Sequence, residues 1–104
     1  MAVVGTDSAI IDISTSGNNT VIAGTTGQVI RIWKLFFVCN AAVNIIFRDG
    51  ASTNLTGTMD ILANGSVALD FDAEPWYTLS SGNDFIINLS AGQQISGRVY
   101  FTRA

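Results

Sequence analysis

Between residues 28 and 50 the chain runs through two apolar stretches with little interruption, rich in the β-branched and aromatic side chains that fit a pleated, half-buried surface. In the first, Ile30, Ile32, Phe36 and Val38 read as one face, with Arg31 and Phe37 on the other. Lys34 falls on the apolar register, which predicts a bulge or an edge near Trp33 and Lys34. After Asn40-Ala41-Ala42 a second run begins, in which Val43, Ile45 and Phe47 alternate with Asn44, Ile46 and Arg48. Asp49-Gly50 then predicts a hairpin turn, since glycine takes positive φ without steric cost. These two runs are read as the central strands of an all-β core.

Shorter strands are predicted around them. Residues 1–8 carry no periodicity and read as an arm, leaving residues 9–104 as one domain. Short strands at residues 10–13 and 20–23 flank a turn cluster at Ser16-Gly17-Asn18-Asn19, and Gly24-Thr25-Thr26-Gly27 punctuates the chain before the central run. Residues 52–56 form a weak strand. Met59, Ile61 and Ala63 then alternate with polar neighbours up to Asn64-Gly65, a second hairpin signal. Val67, Leu69 and Phe71 alternate with Ala68, Asp70 and Asp72, and the only proline, Pro75, breaks the pattern. Extended runs resume at residues 76–79, 85–90 and 98–102, separated by turns at Ser81-Gly82-Asn83-Asp84 and Ala91-Gly92-Gln93. Eight to ten short strands with regular Gly/Asn turns, and no helical apolar period, predict an antiparallel β-sandwich, and their uneven lengths favour the jelly-roll type over a barrel.

Composition narrows the function classes. With 104 residues there is room for one modest core. Charged residues make up 12%, against about a quarter in ordinary soluble proteins, and 9 Ser, 10 Thr and 8 Asn fill the deficit. Charge depletion fits a surface hidden against a partner, and equally a compact β protein with a polar, uncharged exterior. The net charge is −3, and the basic residues Arg31, Lys34, Arg48, Arg98 and Arg103 are scattered, which argues against a nucleic-acid backbone binder. No histidine is present, so the commonest general base and metal ligand is missing. Cys39, the single cysteine, sits in an apolar run and reads as a buried inert thiol. The beginning of the chain lacks a signal-peptide pattern, and the apolar run at residues 35–47 is too short for a membrane span of about 20 residues. Folding in the cytoplasm is therefore expected, with the Asn-x-Ser/Thr matches at Asn18, Asn54, Asn64 and Asn88 unmodified.

Two clusters could carry chemistry. Asp70, Asp72 and Glu74 would project from one face of a strand and could gather oxygen ligands for Ca²⁺, but no calcium-loop glycine accompanies them; a solvated strand face is the competing reading. Pro75-Trp76-Tyr77 could stack on a sugar ring or anchor a protein, or Trp76 could close one end of the core, and Trp33 carries the same ambiguity. The glycines at residues 24–27 match neither the phosphate-binding nor the dinucleotide fingerprint. No catalytic, cofactor or metal site is assigned.

One resemblance bears on function. Gly27-Gln28-Val29-Ile30-Arg31-Ile32, Phe47-Arg48-Asp49-Gly50, Leu55-Thr56-Gly57-Thr58-Met59, Leu62-Ala63-Asn64-Gly65, Glu74-Pro75-Trp76, the run Phe85-Ile86-Ile87-Asn88-Leu89-Ser90 and Ile95-Ser96-Gly97 follow in order. Together they resemble the small all-β virion proteins of tailed bacteriophages that act as capsid cement or decoration proteins. The resemblance implies a β-sandwich or jelly roll, commonly a homotrimer, that sits on the capsid exterior and bridges major capsid protein subunits, and it offers no catalytic residues to transfer. A receptor- or carbohydrate-binding module of a phage tail or fibre, using Trp76 and Tyr77, is the second expectation. A small hydrolase using paired carboxylates is the third.

Overall fold

The computed structural model describes residues 7–104. Among them it is all-β, with two antiparallel sheets and no helix. The strands are β1 (Asp7–Ile13), β2 (Gly17–Ile22), β3 (Ile30–Cys39), β4 (Val43–Asp49), β5 (Thr53–Asn54), β6 (Met59–Ile61), β7 (Ser66–Asp70), β8 (Tyr77–Thr78), β9 (Phe85–Leu89) and β10 (Ile95–Arg103). The first sheet has the order β1-β10-β3-β7, with β8 also paired to β3; the second runs β2-β9-β4-β5, with β6 also on β4. The two predicted central strands, β3 and β4, are thus interior strands of different sheets. One buried cluster joins the sheets: Ile11, Ile32, Leu35, Phe37, Val99 and Phe101 from the first meet Val43, Ile45, Phe47, Phe85, Ile87 and Leu89 from the second. The face of β4 alternates as read from the sequence, with Val43, Ile45 and Phe47 inward.

The expected bulge is present and has a consequence the sequence reading missed. Against β10, Tyr100 pairs with Lys34 but Phe101 pairs with Ile32, so Trp33 is the extra residue. A single extra residue exchanges the two faces of everything after it. Ile30 and Ile32 point inward before the bulge, and Leu35, Phe37 and Cys39 point inward after it. Phe36 and Val38, expected in the core, lie outside, while Phe37 is fully buried.

Gly97 keeps β10 close to β3 on the inner face, in register with Ile11 on one side and Phe37 on the other. A Cβ there would collide with the carbonyl oxygen of Phe36 and come within 2.6 Å of the Phe37 Cα. Because both obstacles are backbone, the strands must part to admit it. Gly97→Ala is expected to cost about 2 kcal/mol, a typical overpacking penalty, read as a lower urea midpoint at unchanged slope.

Three local expectations are corrected. Asn64-Gly65 does not join a hairpin: β6 belongs to the second sheet and β7 to the first, so this turn crosses between layers. Asn64 supplies the positive φ, at 62°, and its N–H donates to the Cys39 carbonyl oxygen. Gly17, Asn18 and Asn19, read as a turn, begin β2 instead; the Asn19 amide donates to the Thr15 carbonyl oxygen at 2.7 Å and holds the bend just ahead of the strand. Asp7 and Ser8, assigned to the arm, are the first residues of β1, because β10 is long enough to pair with them; residues 1–6 lie outside the described part. Asp49-Gly50 does open a hairpin from β4 to β5, with Gly50 at φ 74°.

Candidate docking face

Strand register builds the outer face of the first sheet in three rows. Ser8, Tyr100, Lys34 and Asp70 form the first, Ile10, Arg98, Phe36 and Ala68 the second, and Asp12, Ser96, Val38 and Ser66 the third. Three large apolar side chains on this face are open: Ile10 on the edge strand is 65% exposed, and Phe36 and Val38 on the interior strand β3 are 51% and 48% exposed. Phe36 and Val38 stand two residues apart on β3, about 7 Å along the strand, and Ala68 sits beside Phe36. Polar groups rim them. Lys34 Nζ pairs with Asp70 Oδ1 at 3.2 Å, and Gln94 donates to Asp12 Oδ1 at 2.7 Å. Arg98 stands within the apolar row, and its guanidinium donates to the Ser8 hydroxyl at 2.8 Å. Among the described residues no carboxylate pairs with it. A guanidinium carries five N–H donors in a fixed fork, and the Ser8 hydroxyl takes one of them.

The second sheet presents a different exterior. Arg48 donates to Asn54 Oδ1 at 2.9 Å and to Asn18 Oδ1 at 3.0 Å; Asn88 donates to the same Asn18 oxygen at 2.8 Å. Asn18 and Arg48 both donate to the Ala51 carbonyl oxygen, which draws the hairpin loop back over the sheet. Ile86, on this outer row between Thr20 and Arg48, is buried beneath that neighbourhood. Around Ile86 the second face is thus covered by its own polar side chains, whereas the first leaves Phe36 and Val38 to solvent.

The clusters singled out from sequence are dispersed. Asp70 is engaged with Lys34, and no three Asp, Glu or Cys side chains gather around a common point among the described residues. Trp76 packs edge-on against Phe47, centroids 5.7 Å apart and planes at 85°, so its indole belongs to the core margin. Tyr77 is inclined 52° to it, which does not make a coplanar platform for a sugar ring. Trp33 is half-buried at the bulge, its indole N–H donating to Thr102 Oγ1 at 3.0 Å. Cys39 is buried, and desolvation pushes its thiol above the ordinary value, away from the reactive thiolate. Gly24 serves a close approach: its N–H donates to Asp84 Oδ1 at 2.6 Å, and a Cβ would collide with the Gly82 carbonyl oxygen.

Asp49 is a buried carboxylate that the sequence reading saw only as a turn residue. It is 2% exposed. Its Oδ2 accepts from the Ser80 N–H and hydroxyl, and its Oδ1 accepts from the Asn83 amide, each at 3.0 Å. Gly50 N–H donates to the Asp84 carbonyl oxygen, so the β4–β5 turn and the segment before β9 are locked together. No described helix is long and apolar enough to cross a membrane.

Phe36 and Val38 were expected in the core because their apolarity was charged to it. One signal was legible: Leu35, Phe36, Phe37 and Val38 are apolar on both faces of one strand. In an antiparallel sheet with one solvated side, such a run points to an apolar exterior. Compared with known proteins, the chain matches no family model, no curated protein and no solved structure.

Proposed function

We propose that this protein is a structural attachment module which docks, through the outer face of its first sheet, on the exterior of a larger protein assembly. The observation that carries the reading is the contrast between Ile86, covered on the second sheet by an Arg48–Asn18 network, and Phe36, Val38 and Ile10, left open on the first. Aromatic and Arg side chains surrounded by polar groups are the usual composition of a binding centre. The matching surface would offer apolar side chains around a carboxylate for Arg98. The sequence resemblance to phage decoration proteins supplies the class of assembly: a capsid lattice of major capsid protein, with the protein located on the virion surface. Strand order supports the jelly-roll reading of the fold. With β5 and β6 counted as one interrupted strand and β7 and β8 as another, eight strands remain, and successive ones alternate between sheets except at the β4–β5 hairpin.

On a lattice, many weak copies suffice, since each neighbouring attachment raises the effective concentration of the next. The test is cosedimentation with undecorated phage capsids. The wild-type protein is expected to bind saturably. Phe36→Glu, at a position already half exposed, should weaken binding about a hundredfold, as a charge opposite an apolar surface does. Absence of wild-type binding, or equal binding by Phe36→Glu, would sink the assignment.

A further inference from the structure

The two sheets have four edges, and three of them are guarded. The β7–β8 edge is interrupted by residues 71–76, which include Pro75. The β5–β6 edge consists of fragments of two and three residues. The β2 edge carries a register shift against β9 between Thr20 and Ile22, and Asn19 turns its amide onto the Thr15 and Gly17 carbonyl oxygens. Such breaks and bulges are the devices by which sheets avoid pairing with other chains. The edge formed by β1 has no break or bulge, and its only charges are the carboxylates of Asp7 and Asp12. It pairs with β10 over seven consecutive residues without a shift, and its sequence, Asp-Ser-Ala-Ile-Ile-Asp-Ile, contains no Lys, Pro or Gly. Among the described residues, no strand and no turn hydrogen bond occupies its free side.

We propose that a second copy of this chain occupies that edge, the two β1 strands pairing antiparallel about a two-fold axis at Ile10. The register follows from overlap and charge. Centring on Ile10 uses all seven residues and sets Asp7 opposite Ile13, Ser8 opposite Asp12, and Ala9 opposite Ile11. No carboxylate then faces a carboxylate. A two-fold contact must be complementary to itself, and this strand meets that condition. Ile10, largely exposed in the single chain, meets its own symmetry mate on the outer face, the kind of apolar cross-strand pair that stabilises sheets. Because opposed side chains share a side, the rows holding Ile10, Arg98 and Phe36 in the two copies join into one continuous face. The inference does not depend on what that face binds.

This geometry closes in pairs, whereas the resemblance to decoration proteins implies a trimer, so native mass separates the two. Sedimentation equilibrium on the full chain is expected to show a monomer–dimer equilibrium. Ile10→Lys sets two like charges at the axis on an already exposed position and should weaken the dimer about a hundredfold without unfolding the chain. Position is read by cysteine pairs. Directly opposed antiparallel residues have Cα atoms about 4.5–5.5 Å apart, within disulfide reach. Ile10→Cys should therefore cross-link to itself under mild oxidation. Ser8→Cys should cross-link with Asp12→Cys in a mixture but not with itself, and buried Cys39 should not interfere. A monomer at every concentration, a trimer, or a dimer indifferent to Ile10→Lys and uncross-linked through Ile10→Cys would overturn the proposal. Capsid binding by Phe36→Glu and dimerisation of Ile10→Lys are separate readouts, so either can fail alone.

Discussion

Phe47→Ala is expected to lower the unfolding free energy by about 4 kcal/mol, within the usual range for removing a buried phenyl ring. Phe47 is the aromatic centre of the core. Its ring meets Phe37 of the opposite sheet at 6.0 Å and 74°, Phe85 at 5.7 Å and 67°, and Trp76 at 5.7 Å and 85°. All three are edge-to-face, the arrangement that aligns ring edge with ring face and adds about 0.5–1.5 kcal/mol per pair to area burial. Its backbone is engaged as well, with N–H donating to Thr56 Oγ1 and the carbonyl oxygen accepting from Leu55 N–H. A cavity there cannot close easily, because both sheets are held apart by neighbouring large residues. Against a total of about 5–15 kcal/mol for a domain, the variant would stand near the edge of folding. Urea unfolding followed by tryptophan fluorescence checks this, since Trp76 packs on the deleted ring. A loss below about 1 kcal/mol would contradict the packing described, because it would mean that the core collapses freely around the site.

Asp49→Ala is expected to cost about 3 kcal/mol, and Asp49→Asn about 1 kcal/mol, on the scale of hydrogen bonds to a charged acceptor and of buried groups left unpaired. Alanine leaves the Ser80 N–H, the Ser80 hydroxyl and the Asn83 amide without their acceptor. Asparagine retains one oxygen for Ser80. Its new amide would face the Asn83 amide, and Asn83 can restore that bond by rotating its side chain to offer oxygen. The ordering of the two variants is the diagnostic. Thermal unfolding of both, with Asp49→Asn combined with Asn83→Ala, gives the comparison. Equal losses for Asn and Ala would show that the three donors find other partners, against the role assigned to this carboxylate.

How much could be read in advance differs from one element to the next. The inward positions Val43, Ile45 and Phe47 of β4 were legible, because they alternate along the strand and its turn glycine is unambiguous. β3 was legible as a strand, and even its bulge was visible in the misplaced Lys34. Which residue is extra was not. Pairing with β10 selects Trp33, and that choice moves Phe36 and Val38 from core to surface. Asn64-Gly65 shows the same limit: the residues specify a turn, but pairing on either side decides whether it joins neighbours or crosses layers. The role of Asp49 was hidden because its partners, Ser80 and Asn83, lie more than thirty positions away.

The amino-acid pattern alone established an all-β chain of eight to ten short strands, the hairpin turn at Asp49-Gly50, and a core of branched and aromatic residues, since strand period and turn chemistry are local properties. Sheet membership, the exchange of faces at Trp33, the burial of Asp49 and which apolar residues of β3 lie outside were decided only by tertiary structure. Each depends on which distant strand supplies the backbone partner, and with a side-chain period of two, a one-residue difference in that pairing turns an inward residue outward.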